Sequence, residues 1–123
     1  MASYALNFNQ IQRRFFNVTL KDYVITNKNG EEIQRKGELL TVKMPVKSTF
    51  HKLSAVQNMD TDSMSLDDAM DTMSEIVAET LSNNLQRKKI SAKTIANNYD
   101  FEEMTIFIDK YMEFVQGAAE DPN

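Results

Sequence analysis

The stretch that decides the fold runs from Ser65 to Leu85 and reads SLDDAMDTMSEIVAETLSNNL. At the spacing of about 100° per residue of an α-helix, its apolar residues collect on one wide stripe and its carboxylates point the other way. The stripe consists of Leu66, Ala69, Met70, Met73, Ile76, Val77, Thr80 and Leu81. Ser65 is a natural N-cap, and Asp68 follows it in a carboxylate version of the capping box. The pattern predicts one long amphipathic helix with apolar partners on more than one side.

The composition is that of one ordinary globular domain. The chain has 123 residues, 41% of them hydrophobic and 26% charged, which is enough for a real hydrophobic core. No apolar run approaches the 18 or so residues of a membrane helix, and the N-terminus does not resemble a secretory signal. The sequence has no cysteine, which excludes disulfides and thiolate metal sites. These totals predict a soluble intracellular protein, and the net charge of −4 disfavours a general nucleic-acid binder.

Two stretches before the long helix have the period of two that is typical of half-buried strands. They cover residues 15–20 and 39–46, and the segment between them includes a long polar connection, residues 27–36. Within that segment, residues 23–25 continue the first strand or form a separate short piece, and residues 27–30 have the chemistry of a turn. We expect an antiparallel hairpin with a long protruding tip, preceded by a loosely held arm.

The remaining helices follow the long one or stand just before it. Ser48 can cap a short helix that ends at about Gln57, and Ser91 can cap another that Asn97 and Asn98 break. Residues 87–89 are basic and suit the negative end of the long helix.

The last helix has the clearest start and stop signals. Asp100 and Glu103 form a capping-box pair, and Gly117 stands where a left-handed C-terminal residue belongs. Phe114 lies at the margin of its apolar face, and Ile106 lies outside it. The face consists of Phe101, Met104, Phe107, Ile108, Tyr111, Met112 and Val115.

Together these patterns predict an α+β fold. An N-terminal antiparallel β-hairpin or small sheet precedes a mainly helical C-terminal part of about three to four helices. We expect a single domain over residues 1–123, with the arm and hairpin in 1–46, the helical part in 47–117 and a disordered tail in 118–123.

The sequence offers no constellation for catalysis or metal binding. His51 is the only histidine, so neither a catalytic triad nor a His-based zinc cluster can be assembled. Residues 60–65 begin like a calcium loop, but Met64 and Ser65 stand where the motif wants an oxygen ligand and a glycine. A solvated acidic loop that caps the helix is the favoured interpretation. We expect no enzyme, no cofactor, no metal and no small-molecule substrate.

Four apolar residues stand in polar surroundings. Met59 and Met64 lie in the acidic loop, where flexible thioethers suit an adaptable contact with an apolar partner. Ile106 and Phe114 suggest the same on the last helix. Single exposed apolar residues are also common on ordinary surfaces, so that interpretation stays open. We predict these four residues as partner-binding.

The only concentrated basic patch is Arg87, Lys88 and Lys89. It could touch phosphates, but no aromatic residues are interleaved for base stacking. A solvated helix end is the plainer interpretation. The patch could also pair with the acidic face of a neighbouring copy, and we predict these three residues as self-association contacts.

With its elements in this order, the chain resembles the tail assembly chaperones of long-tailed bacteriophages, lactococcal siphophages among them. The resemblance covers nearly the whole chain and lies in the layout rather than in a signature motif. A hairpin rich in aromatic and β-branched residues precedes an acidic helix that contains Ala and Met. The chain then closes on the helix DFEEMTIFIDKYMEFVQG, residues 100–117, with a short acidic tail.

The resemblance implies a protein that coats the apolar tape measure protein and keeps it soluble before the tail tube polymerises around it. It implies many self-associating copies in a ring or spiral, located in the host bacterial cytoplasm and absent from the mature virion. Neither nucleic acid nor membrane is expected as a partner. Two alternatives remain open: a structural tail or neck component of the virion, and a small acidic regulator that binds a host protein.

Overall fold

The computed structural model of the chain describes residues 3–59 and 64–120 and has an α+β architecture, as the sequence predicts. A short 3-10 turn and four strands precede four helices. The strands are β1 (Phe16–Thr19), β2 (Tyr23–Thr26), β3 (Glu32–Arg35) and β4 (Leu39–Val42). The 3-10 turn spans Phe8–Gln10, and the helices are α1 (Lys47–Gln57), α2 (Leu66–Ser82), α3 (Ala92–Asn98) and α4 (Phe101–Glu120).

The strands form two separate antiparallel pairs rather than one sheet. β1 pairs with β4 in a register that places Phe16 opposite Val42, as expected for the two alternating stretches. The polar connection between them is itself a second hairpin, in which β2 pairs with β3 and Tyr23 lies opposite Arg35. The sequence predicted β2 only as one of two alternatives, a continuation of β1 or a separate piece. It did not predict β3, because that strand has a single half-buried apolar residue, Ile33, among polar and charged neighbours.

Two glycines are required by the geometry of this region. Gly30 closes the β2–β3 turn with a φ of 79°, a left-handed conformation that glycine adopts without steric cost. Gly37 lies so close to β1 that a Cβ there would be 1.8 Å from the carbonyl oxygen of Leu20. The predicted turn at residues 27–30 is confirmed.

Helix α2 is the centre of the core, as its wide apolar stripe predicts. Its buried residues face α1, α3, α4 and β4, whereas all five carboxylates of the helix are exposed. Ser65 caps it, accepting a hydrogen bond of 3.1 Å from the backbone N–H of Asp68. Leu66 is an exception to the stripe, because this first helical residue is 59% exposed. The buried set consists of Ala69, Met73, Ser74, Ile76, Val77, Ala78, Thr80 and Leu81.

Two predicted helix boundaries are wrong. Helix α2 ends at Ser82 rather than Leu85, so residues 87–89 follow it in a loop and do not occupy its last turn. Helix α1 begins at Lys47 with Val46 in the N-cap position, where no side chain bonds to the first turn, so Ser48 is not its cap.

Asn84 explains why the chain leaves the helix where it does. Its buried side-chain amide donates to the carbonyls of Leu81 and Lys88, at 2.7 and 2.8 Å. Its Oδ1 accepts from the backbone N–H of Lys88 at 2.9 Å. The side chain therefore closes the loop with three hydrogen bonds that compete with continued helix.

The last two helices confirm their start signals and differ in their stop signals. Ser91 caps α3, accepting from the N–H of Thr94, and α3 ends at Asn98, so the break predicted at Asn97 and Asn98 is confirmed. The side chain of Asn98 then bonds to both the N–H and the carbonyl of Val24, which joins α3 to β2.

In α4 the capping box is present. The N–H of Glu103 donates to Asp100 at 2.8 Å, and Glu103 accepts from the N–H of Asp100 at 2.9 Å. Gly117 has no positive φ, and α4 continues to Glu120, so the predicted helix stop and disordered tail are wrong for residues 118–120. The rest of the predicted tail, residues 121–123, lies outside the described residues.

Candidate functional site

A groove of about 480 Å³ runs between α1 and α2. Four residues of α2 line it at the spacing i, i+3, i+4, i+7, which places them on one face of that helix, and three residues of α1 with Met59 just after it line the other side at the same spacing. Ala55, Val56 and Met59 from α1 and its C-terminal flank, together with Ile76 from α2, form the apolar floor. The polar lining residues are Lys52, Thr72, Glu75 and Glu79.

An ion pair spans one end of this groove. Lys52 Nζ lies 2.9 Å from Glu79 Oε1, and both side chains remain partly exposed. The hydrogen bond from Lys52 lowers the pKa of Glu79 below its ordinary value, and a side-chain hydrogen bond from Thr49 acts in the same direction. The groove therefore has an apolar floor and a rim that is acidic at neutral pH.

A second, smaller groove of about 240 Å³ lies on the other side of α1, against α4. Val56 and Met59 line both grooves, so the C-terminal end of α1 is a narrow apolar ridge between two depressions. Gln57 spans the second groove by donating to Asp109 at 3.2 Å. A flexible methionine on such a ridge can adapt to partners on either side.

The structure separates the four residues predicted as partner-binding. Met59 lines both grooves, and Ile106 is 60% exposed on α4, away from either groove. Phe114 is half-buried, with its ring centroid 5.6 Å from that of Phe16 and 5.9 Å from that of Tyr111. Met64 is half-buried just before α2 and lines neither groove.

The three basic residues predicted for self-association also differ among themselves. Lys88 forms an ion pair with Glu38 of its own chain. Arg87 is exposed with a φ of 58°, and Lys89 is exposed beside it. The loop that carries them covers the outer edge of β4, since Leu85 N–H donates to the Thr41 carbonyl and Lys43 N–H donates to the Asn83 carbonyl.

Other chemistry is sparse in the part of the chain that the structure describes. His51 is exposed on α1, and across residues 3–59 and 64–120 there is no group of three or more acidic or histidine side chains that could hold a metal ion. Four residues of the calcium-like stretch, 60–63, lie outside the described residues. Among the described helices, none is both long and apolar enough to cross a membrane.

Sequence reasoning found Met59 but missed the groove around it. The missed residues are Ala55, Val56 and Ile76, of which Ile76 was assigned to the core stripe alone. A signal was present, since Lys52, Ala55, Val56 and Met59 repeat at helical spacing. It could not reveal the groove, because a depression between two helices depends on how far apart they pack.

Comparison with known protein families, with curated proteins and with solved structures finds no match to this chain.

Proposed function

We propose that this protein is a phage tail assembly chaperone that binds apolar helical segments of the tape measure protein in the groove between α1 and α2. The observation that carries the proposal is the pair of facing residue stripes with an apolar floor and a partly charged rim. A helix laid into a groove is a common mode of peptide recognition, and it requires such a floor. The layout of the sequence supplies the identity of the partner by resemblance.

The chemistry of the groove suits a partner with many similar segments. Val56 and Met59 give an apolar contact without a deep, rigid pocket, which favours modest affinity and tolerance of sequence. Many copies bound along one long chain multiply such modest contacts by avidity. The exposed carboxylates of α2 would remain outside and keep the coated complex soluble.

The rim defines which helices fit best. Glu75 and Glu79 stand on the α2 side of the groove, and Lys52 stands on the α1 side. A partner helix with an apolar stripe at i, i+3, i+4, i+7 and basic residues next to the stripe would complement the acidic side.

The test is co-expression with the tape measure protein of the phage that encodes this chain. Ala55 is exposed in the groove, so Ala55→Glu introduces a charge there without disturbing the core. Ala96→Glu is the matched control, because Ala96 is exposed on α3 and outside the groove. We expect soluble co-elution of many copies with the wild type and with Ala96→Glu, and affinity at least roughly tenfold weaker with Ala55→Glu.

Three results would count against the proposal. If the insoluble fraction of the tape measure protein is the same with and without this chain, and the two proteins do not co-elute, the chaperone function is ruled out. Equal binding by Ala55→Glu and Ala96→Glu would show that the groove is not the binding site. Detection of the chain in purified virions would favour the structural tail or neck component instead.

A further inference from the structure

The outer edge of β1 presents backbone groups without partners. Leu20 N–H donates to the Glu38 carbonyl, which fixes the ladder so that residues 16, 18 and 20 bond to β4. The N–H and C=O groups of Asn17 and Thr19 therefore point away from β4. Among the described residues, none forms a hydrogen bond with them, and both side chains are exposed. An unpaired strand edge of this kind is a template for another strand.

In the described chain, each of the other strand edges is either hydrogen-bonded to another segment or carries charged residues. The loop at residues 83–86 bonds along the outer edge of β4, and Asn98 bonds to the outer edge of β2. The edge of β3 is open, but two of its four residues, Glu32 and Arg35, are charged, and charges on an edge strand oppose pairing. The uncharged edge of β1 is therefore the one suited to accept a strand.

The N-terminal arm has the pattern of the missing strand. Tyr4, Leu6 and Phe8 alternate with small or polar residues, and their side chains are 99%, 70% and 68% exposed. Residues 3–12 contain no charge, no proline and no glycine. Alternation of this kind gives a strand one apolar face, and three large exposed apolar side chains in succession need a covering surface.

The two unpaired features belong to one chain and yet do not meet in it. After the 3-10 turn, Ile11 is extended with a φ of −69° and a ψ of 133°, and no residue from 3 to 12 pairs with a strand among the described residues. We propose that the arm of one copy pairs with the outer edge of β1 in a second copy and links the copies by strand exchange. This inference does not depend on the proposed function.

The inner face of the acceptor strand explains why an apolar donor fits. Phe16 lies on the core side of β1, with ring centroids 6.1 Å from Phe107 and 5.6 Å from Phe114. A strand added beside β1 would place its apolar face next to this aromatic cluster, whose members Phe16, Phe107 and Phe114 are only half-buried. The backbone bonds would supply affinity, and the alternate side chains would supply register.

The test uses the purified full chain and measures its mass by light scattering over a range of concentrations. We expect masses above the 14.1 kDa of one chain that rise with concentration. Leu6→Glu, in the arm, should weaken association at least roughly tenfold, since it removes an anchor and charges the strand. Asn17→Pro removes an outward-facing N–H of the acceptor edge without removing a hydrogen bond to β4, and it should weaken association similarly.

A matched control and a mixing experiment separate this pairing from other effects. Gln34→Pro removes the outward N–H of the open β3 edge and should leave the mass unchanged. Leu6→Glu keeps an intact edge and Asn17→Pro keeps an intact arm, so their mixture should form heterodimers that neither forms alone. Circular dichroism should show the same fold in each variant.

Several outcomes would overturn the inference. These are a wild type that stays monomeric at all concentrations, a Leu6→Glu variant that associates like the wild type, and a mixture that stays monomeric. Leu6 lies outside the core, so the arm variant keeps the test valid even if Asn17→Pro does not fold.

Discussion

The phenolic oxygen of Tyr111 donates a hydrogen bond of 2.6 Å to the backbone carbonyl of Lys43, and this contact joins α4 to the end of β4. Tyr111 is fully buried, with its ring next to those of Phe16 and Phe107. Burial raises the pKa of Tyr111 above its ordinary value, so the hydroxyl stays protonated and remains a donor at neutral pH.

Tyr111→Phe should therefore destabilise the fold by about 1 kcal/mol, because it leaves the Lys43 carbonyl without this donor while keeping the ring in place. Urea unfolding followed by circular dichroism measures the change. Tyr4→Phe, measured at a protein concentration low enough to keep the chain monomeric, is the matched control, since the Tyr4 side chain is 99% exposed in one chain and the same substitution there should have no effect. Equal unfolding midpoints for the wild type and Tyr111→Phe would contradict the prediction.

Asn84→Ala should cost about 2–3 kcal/mol of unfolding free energy. The substitution removes three hydrogen bonds and leaves backbone groups of Leu81 and Lys88 in the loop without their partners. Asn97→Ala provides the comparison, because Asn97 is exposed on α3. If both variants unfold at the same denaturant concentration, Asn84 does not hold the loop in place.

The Lys52–Glu79 pair should make a small, pH-dependent contribution to stability. The pKa of Glu79 is lower in the folded chain than its ordinary value of 4.5. The pair therefore stabilises the fold above that value, and the contribution is lost as the pH falls through the folded pKa. Both side chains are partly exposed, so the contribution should be about 0.2–1 kcal/mol.

Lys52→Met should raise the pKa of Glu79 toward its ordinary value, as followed by NMR titration of the side-chain carboxyl. Lys110→Met is a suitable control, because Lys110 forms its ion pair with Glu113 within α4 and not with Glu79. A Glu79 titration that is identical in Lys52→Met and in the wild type would show that the ion pair does not form in solution.

Gly117→Ala should stabilise the protein by a few tenths of a kcal/mol to about 1 kcal/mol. Gly117 lies within α4 without a positive φ, and a Cβ there would project into open space. Alanine favours helix over glycine in that setting. If Gly117 instead had the left-handed conformation expected from the sequence, Gly117→Ala would destabilise the protein. Thermal unfolding of this one variant therefore decides between the two conformations.

The sequence determined the features that depend on neighbours along the chain. The stripe of α2, the cap at Ser65 and the capping box at Asp100 and Glu103 were all predictable, because helix faces and N-caps are set within one or two turns. The pairing of β1 with β4 followed from the two alternating stretches and the turn chemistry between them. The groove was not predictable beyond Met59, since its floor comes from two helices that only packing brings together.

The helix ends were decided by tertiary structure. In the sequence Asn84 looked like an ordinary polar residue and Asn98 like a helix breaker. In the folded chain Asn84 bonds to backbone groups of its own loop, whereas Asn98 bonds to β2, far away along the chain. Gly117 looked like a stop signal, but glycine only permits a left-handed turn and does not enforce one. Helix starts follow from side chains within the first turn. The end of α2 instead coincides with contacts to a distant strand, since Lys43 N–H donates to the Asn83 carbonyl and Leu85 N–H donates to the Thr41 carbonyl, and these groups meet only in the folded chain.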